Sequence, residues 1–203
     1  MIFSSALFSK VQDSAALISE VQIDAYRKPT KLLTATKSVS VVSPNFLSQN
    51  APERLLESVN LLPGSKMEER SPGSYRFSIR GSTLRSPFGV RNVKVYLDDF
   101  SLTDASGNTY LNILDPEILN SIEIYKGPES GDFGAVTGGT ALLKTKNSEE
   151  QNFGISAGSF SHYKGKLHFA KELKKDFLQV YTSYETTDSY RDHAALQRKF
   201  MFL

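Results

Sequence analysis

Ile122-Glu123-Ile124-Tyr125-Lys126-Gly127-Pro128 is the stretch on which the reading of this chain turns. Ile122 and Ile124 alternate with Glu123 and Tyr125, the period-2 pattern of a strand, and Gly127-Pro128 ends it in a turn. Just upstream, Asp115-Pro116 opens a short helix through Ile118 and Leu119, because Asp caps free amides and Pro fits the first helical position. Two more strands precede it, each with one buried face. Val93, Val95 and Leu97 alternate with Lys94, Tyr96 and Asp98, and Tyr75, Phe77 and Ile79 alternate with Arg76, Ser78 and Arg80. Nearer the N-terminus, a strand over Ser38 to Val42 hands over to a helix at Ser43-Pro44. Asn50, Pro52 and Glu53 then open a second helix whose Leu55, Leu56 and Val59 share a face until Pro63-Gly64 stops it.

Downstream of Asn147 the helix signals vanish. Phe153, Ile155 and Ala157 alternate with Gly154, Ser156 and Gly158; Tyr163, Leu167 and Phe169 oppose Lys164, Lys166 and His168; Leu178, Val180 and Tyr184 oppose Gln179, Ser183 and Glu185. These are three amphipathic strands in series, with hairpin-length links at Ser161-His162 and at 174–176. Each is close to the roughly 9–11 residues of a tilted transmembrane strand, although an ordinary antiparallel sheet with one wet face alternates in the same way.

Composition narrows the function classes. The 203 residues are 39% hydrophobic and 23% charged, so the chain is neither disordered nor collagen-like. Lys and Arg number 24 against 22 acidic residues, and a net charge of +2 is no footprint for nucleic acid. Cys is absent, which removes disulfides and thiolate chemistry. No uncharged apolar run approaches the roughly 20 residues of a spanning helix, so membrane contact falls to β-structure or the surface. Met1 to Ala16 reads as a tail, since Lys10 interrupts its apolar start and no basic residue precedes it.

Catalytic and cofactor patterns are missing. His162, His168 and His193 have no metal-ligand spacing, no G-x-S-x-G elbow occurs, and Asp98, Asp99, Asp104, Asp115 and Glu123 flank turns and helix starts where capping employs them. The series Gly127, Gly131, Gly134, Gly138 and Gly139 fits neither dinucleotide nor P-loop spacing; it reads as a loop needing positive φ and close packing. The chain is therefore read as a non-enzyme without cofactor or metal site, and His168 as a polar residue on the inner side of its strand.

Taken in order, four segments resemble the plug domain and first barrel strands of TonB-dependent outer-membrane receptors over residues 19–193. They are Ser38 to Val42 with Ser43-Pro44; Leu55-Leu56-Glu57-Ser58-Val59 leading to Pro63-Gly64; Phe77-Ser78-Ile79-Arg80-Gly81; and the block from Val93 to Lys146. Within that block, Val95-Tyr96-Leu97-Asp98-Asp99 resembles the family's strand ending in Asp-Gly, and Ile122 to Pro128 its Ile-Glu-Val-x-Arg-Gly-Pro segment. Phe133-Gly134, Gly138-Gly139 and Leu143-Lys144-Thr145-Lys146 resemble its later pairs and its Ile-x-Thr-Lys ending. Three positions depart: Asp99 stands for the turn Gly, Ser121 for a common Arg, and Lys126 for the second Arg.

The resemblance implies an α+β plug, a small mixed sheet with short helices, over residues 20–148, preceded by a tail over 1–19. It is followed over 149–203 by antiparallel strands that begin a transmembrane β-barrel and leave it incomplete, a truncated receptor inactive alone. It implies energised uptake of a scarce ligand such as a ferric siderophore across the outer membrane, with TonB, outer-membrane lipid and an extracellular small ligand, such as a metal chelate, as partners. Polar loops at Ser82 to Asn92 and Asp104 to Thr109 would face outside, and Arg80 and Lys126 would lock the plug to acidic groups of the barrel wall. Glu20, Val21, Gln22, Ile23, Asp24 and Ala25 resemble the energy-coupling region, an extended peptide suited to strand addition; equally, Val21 and Ile23 fit the plug's own first strand. The alternative to transport is a soluble or surface β-rich binding module.

Overall fold

The computed structural model describes residues 22–25, 28–49, 55–71, 73–82, 89–128, 130–134, 136–174 and 176–203. A hairpin of β1 (Gln22–Ala25) and β2 (Lys28–Lys31) comes first, followed by β3 (Val39–Val42), α1 (Pro44–Gln49) and α2 (Leu55–Asn60). A second hairpin pairs β4 (Ser65–Glu69) with β5 (Tyr75–Ile79). Next come β6 (Val93–Leu97), β7 (Phe100–Ser101), β8 (Leu119–Lys126), α3 (Ser130–Phe133) and β9 (Gly139–Thr145). The chain closes with β10 (Glu150–Gly158), β11 (His162–Leu173), β12 (Asp176–Thr187) and β13 (Leu196–Phe202).

The N-terminal part is built on a five-stranded mixed sheet in the order β3-β8-β9-β6-β7, in which only β6 and β9 run parallel. The deciding stretch, β8, lies between β3 and β9. Its Ile122 and Ile124 pack with Val93, Val95, Val59, Met67, Phe77 and Ile79 in the main core. Fully burying such a side chain contributes roughly 1.5–3 kcal/mol. The other face of β8 is covered too. Tyr125 is buried against Phe133 and Leu142, with ring centroids of Tyr125 and Phe133 5.6 Å apart.

Turn chemistry follows the sequence with one relocation. Gly64 takes φ +75 after α2, as a chain-reversing glycine does. In the two-residue turn between β6 and β7, however, the positive φ of +50 falls on Asp98 and not on Asp99, where the usual Gly was missed. Asp98 is held there because its carboxylate accepts both the backbone N–H and the hydroxyl of Thr145 at 2.9 Å. At Gly138 and Gly139 no side chain fits: a Cβ would lie 2.6 Å from the Asn92 carbonyl oxygen and 2.3 Å from that of Tyr125.

The C-terminal strands form a separate antiparallel sheet in the order β10-β11-β12-β13. It has four strands where the alternation signalled three. Leu196–Phe202 escaped notice because Phe200 and Phe202 point inward while Met201 points outward, so apolar residues occupy both faces and blur the period. Phe200 and Phe202 pack with Tyr181 against the main core. The sheet's inner face is thus the lid of the N-terminal domain.

Candidate functional site

The junction of the two sheets is polar at its centre. Asp115 and Glu117 stand on a 3-10 turn, Pro116–Ile118, where Asp115 accepts the Glu117 backbone N–H at 3.2 Å, the capping role its type implies. The same carboxylate is fully buried beneath the second sheet. Ser183 donates to it at 2.6 Å, Tyr181 at 3.1 Å and Lys164 at 3.2 Å. Glu117 forms ion pairs with Lys164 at 2.7 Å and with Lys166. Beside them Arg198 donates to the Leu114 carbonyl at 3.2 Å and pairs with Glu185.

Why the charges survive burial follows from the count. Two carboxylates meet two ammonium groups, and Asp115 has a full set of donors, so the desolvation of each ion is offset by geometry. Burial pushes the Asp115 carboxyl up, but Lys164, the Ser183 hydroxyl, Arg198 and the Glu117 amide together outweigh it and hold it below the ordinary aspartate range. The neighbouring inner-face row continues the polar character: His168 contacts Glu150 at 3.2 Å and Gln179 at 2.9 Å and meets the Tyr181 ring edge-on.

Outward, the same sheet is apolar. Phe153 and Ile155 are 69% and 75% exposed, and Tyr163, Leu167, Leu178, Tyr184 and Met201 are also exposed. The band from the row of Tyr163 to that of Lys171 covers about 27 Å along the strand at about 3.4 Å per residue. Tilted by about 40°, that is roughly 21 Å, close to the roughly 25 Å apolar belt of an outer-membrane barrel.

The other site residues singled out in the sequence are dispersed. Gln22 to Ala25 form β1, which among the described residues pairs only with β2, through Ile23↔Thr30 and Asp24↔Pro29, and Ile23 is buried; Glu20 and Val21 lie outside the described residues. Arg80 is exposed at φ +50 directly after β5, beside Gly81 and next to Gly127 and Lys126. Burial and the charge of Arg80 lower the Lys126 pKa, and among the described residues neither cation has an acidic partner. Glu123 is buried and accepts the Tyr125 hydroxyl at 2.8 Å. Gly127 and Pro128 make the turn after β8, Gly134 takes φ +77 after α3, and Gly138-Gly139 lead into β9. The loop at Asp104 is tied by Ser106 and Asn108 donating to its carboxylate, whereas residues 83–88 lie outside the described ones. Among the described residues no three His, Asp or Glu side chains are placed to hold a metal ion.

Sequence reasoning found the cap at Asp115 and the polar side of β11, but missed that they meet. Lys164 and Asp115 are 49 positions apart, and Ser183 and Asp115 are 68 apart. The one available signal was two lysines, Lys164 and Lys166, on a strand face opposite apolar side chains.

β8, with the other strands of the mixed sheet up to the start of β9, falls inside a match to the family of the TonB-dependent receptor plug domain, over residues 31–141. The chain belongs to that family. Its fold is similar to those of solved TonB-dependent receptors. The pyoverdine receptor FpvA of Pseudomonas aeruginosa, bound to pyoverdine, matches with a TM-score of 0.65 at 17% identity over 90% of this chain and 27% of its own. The ferric citrate transporter FecA matches at 0.62 and 17% identity over 80% and 27%. The ferric yersiniabactin uptake receptor FyuA of Yersinia pestis matches at 0.57 and 20% over 74% and 24%. The chain spans about a quarter of the length of these receptors. The N-terminal domain is therefore the plug, and β10–β13 form the antiparallel sheet that follows it.

Proposed function

We propose that this chain is the plug, residues 20–148, and the opening wall strands, 149–203, of an outer-membrane receptor that takes up a scarce ligand such as a ferric siderophore with energy delivered by TonB. The observation that carries the reading is the two-sidedness of the second sheet: its polar face is paired with the plug through Asp115 and Glu117, and its apolar face is exposed among the described residues. A soluble domain would cover or charge such a face, whereas hydrocarbon stabilises it. Arg80 and Lys126 act as a cationic lock toward acidic groups of further wall strands; their adjacent placement, with no acidic partner among the described residues, supports this role. Pyoverdine is the ligand of FpvA and ferric yersiniabactin that of FyuA, which supports a siderophore as the ligand class, with the polar plug loop at Asp104 to Thr109 facing outside.

Energy coupling belongs to Glu20 through Ala25. Among the described residues β1 pairs with β2 alone, and strand addition at its second edge would supply affinity through main-chain hydrogen bonds. The test is capture of the full chain by the periplasmic part of TonB. The unaltered chain is retained; Ile23→Pro, which removes a backbone donor and disfavours strand pairing, is retained far less, with unchanged circular dichroism. Equal capture of both chains moves the coupling segment elsewhere, and capture of neither removes TonB from the reading.

A further inference from the structure

Tyr181, Phe200 and Phe202 pack on the side of the mixed sheet that carries Ile122 and Ile124. The opposite side has a cover of its own. There Val39, Tyr125, Thr140 and Lys94 stand in one row across β3, β8, β9 and β6. α3 lies over that row, because Phe133 packs on Tyr125 and Leu142, with the Tyr96 ring tilted against it at 5.7 Å. Two bonds tie α3 to β6: the Phe133 carbonyl accepts from the Lys94 ammonium at 2.6 Å and from the Tyr96 hydroxyl at 3.2 Å. A further hold comes from 95 residues away in sequence. Lys37, two residues ahead of β3, lies 6.0 Å from the centre of the Tyr125 ring and pairs with Asp132 of α3 at 2.5 Å.

Between these holds α3 has hinges and a reason to open. Gly127 ahead of it takes φ +122 and Gly134 after it φ +77, backbone states that glycine reaches without a side-chain penalty and can leave as readily. Closure also carries a cost. The Thr140 hydroxyl is fully buried with no hydrogen-bond partner among the described residues, so it has given up hydration without a bond in exchange. Opening rehydrates it, and the Lys37–Asp132 pair opposes opening. A fully exposed ion pair contributes little, but these side chains are only 12% and 22% exposed, so theirs is largely out of water. Lys37 is itself positioned by the pairing of β3, since the Lys126 N–H donates to the Ser38 carbonyl at 2.9 Å. Fraying of the start of β3 therefore draws the ammonium away from Asp132.

We infer that α3 is a hinged flap over the row of Thr140 and Tyr125 and that Lys37 is its latch, so that the position of the chain just ahead of β3 decides whether this side of the plug is covered. The inference goes beyond the proposed coupling role of Glu20 to Ala25 and stands whichever partner engages that segment. Lys37 acts on the flap through Asp132 alone, which makes the charges of the pair the quantity to vary.

The chain has no Cys, so each introduced thiol is a unique probe. Thr140→Cys places one beneath the flap, and Ala141→Cys places one on the other side of the same strand, in the main core. In the full chain both react slowly with a maleimide. Adding Lys37→Gln speeds labelling at position 140 about tenfold, the factor that the loss of one charge-assisted hydrogen bond permits, and leaves the rate at position 141 unchanged. Asp132→Asn has the same effect, and exchanging the charges, Lys37→Asp with Asp132→Lys, returns the slow rate. An unchanged rate at position 140 in both single variants overturns the latch. Equal acceleration at 140 and 141 overturns the flap, because the ion pair then supports the whole sheet. Labelling that stays fast after the charge exchange overturns the pairing as the hold on α3.

Discussion

The plug sheet and the wall sheet are made of the same kinds of strand and obey opposite rules. In β8, both faces are covered, with Ile122 and Ile124 in one core and Tyr125 in another. In β11 and β12, the covered face holds Lys164, His168, Gln179, Tyr181 and Ser183, while Leu167, Leu178 and Tyr184 are bare. The plug is stabilised by removing hydrocarbon from water. Its docking to the second sheet depends in addition on pairing buried charges, because the polar side of β11 and β12 is the side turned toward the plug. Alternation alone therefore identifies two faces but does not say which is covered.

The largest effect is expected where the rule is most inverted. Lys164→Ala leaves Asp115 and Glu117 buried with one cation missing, and losing one partner of a buried pair costs about 3–5 kcal/mol. Urea unfolding of the full chain should show that loss, and replacing Asp115 and Lys164 together by Leu and Met should restore much of it. A single variant as stable as the unaltered chain would show that the ion cluster does not hold the sheets together.

One substitution placed in each sheet sharpens the contrast. Ile124→Ala in the plug should cost about 2–5 kcal/mol through a cavity in close-packed surroundings. Ile155→Ala, on the bare face of the second sheet, should stay within about 0.5 kcal/mol in the same urea unfolding measurement. Similar losses at both positions would erase the distinction.

Smaller effects lie at the edges of the plug. Asp98→Ala removes two hydrogen bonds to Thr145 and places Ala at a positive φ, for an expected loss of about 1.5–3 kcal/mol. Faster proteolysis at the turn between β6 and β7 would report it; an unchanged cleavage rate would mean that the clamp is dispensable. Last comes acid. The Asp115 carboxyl is held below its ordinary value in the folded chain, so its contribution is complete above the unfolded pKa of about 3.9 and is lost as pH falls through the folded value. Asp115→Asn should flatten that part of the stability profile below about pH 4 while leaving the shape above it unchanged. An identical acid limb in both proteins would assign the acid sensitivity to other carboxylates.

Local patterns in the sequence determined a great deal. Period-2 alternation located β5, β6, β8 and β10–β12; Asp115-Pro116 and Pro63-Gly64 marked a helix start and a stop; and glycines at 138 and 139 marked a close approach. These are properties of a residue and its near neighbours, set by side-chain direction, capping and allowed φ, so they are legible without a fold. Tertiary structure alone decided that Asp115 meets Lys164, Tyr181 and Ser183, that β13 joins the wall through Tyr181↔Phe202 to Thr187↔Leu196, and that Arg80 lies beside Lys126. Each of these contacts joins residues distant in sequence, and no local preference encodes its distant partner. The sign of a buried charge pair is fixed only when packing brings both ends out of water together, which is why the cap was readable in the chain and the latch was not.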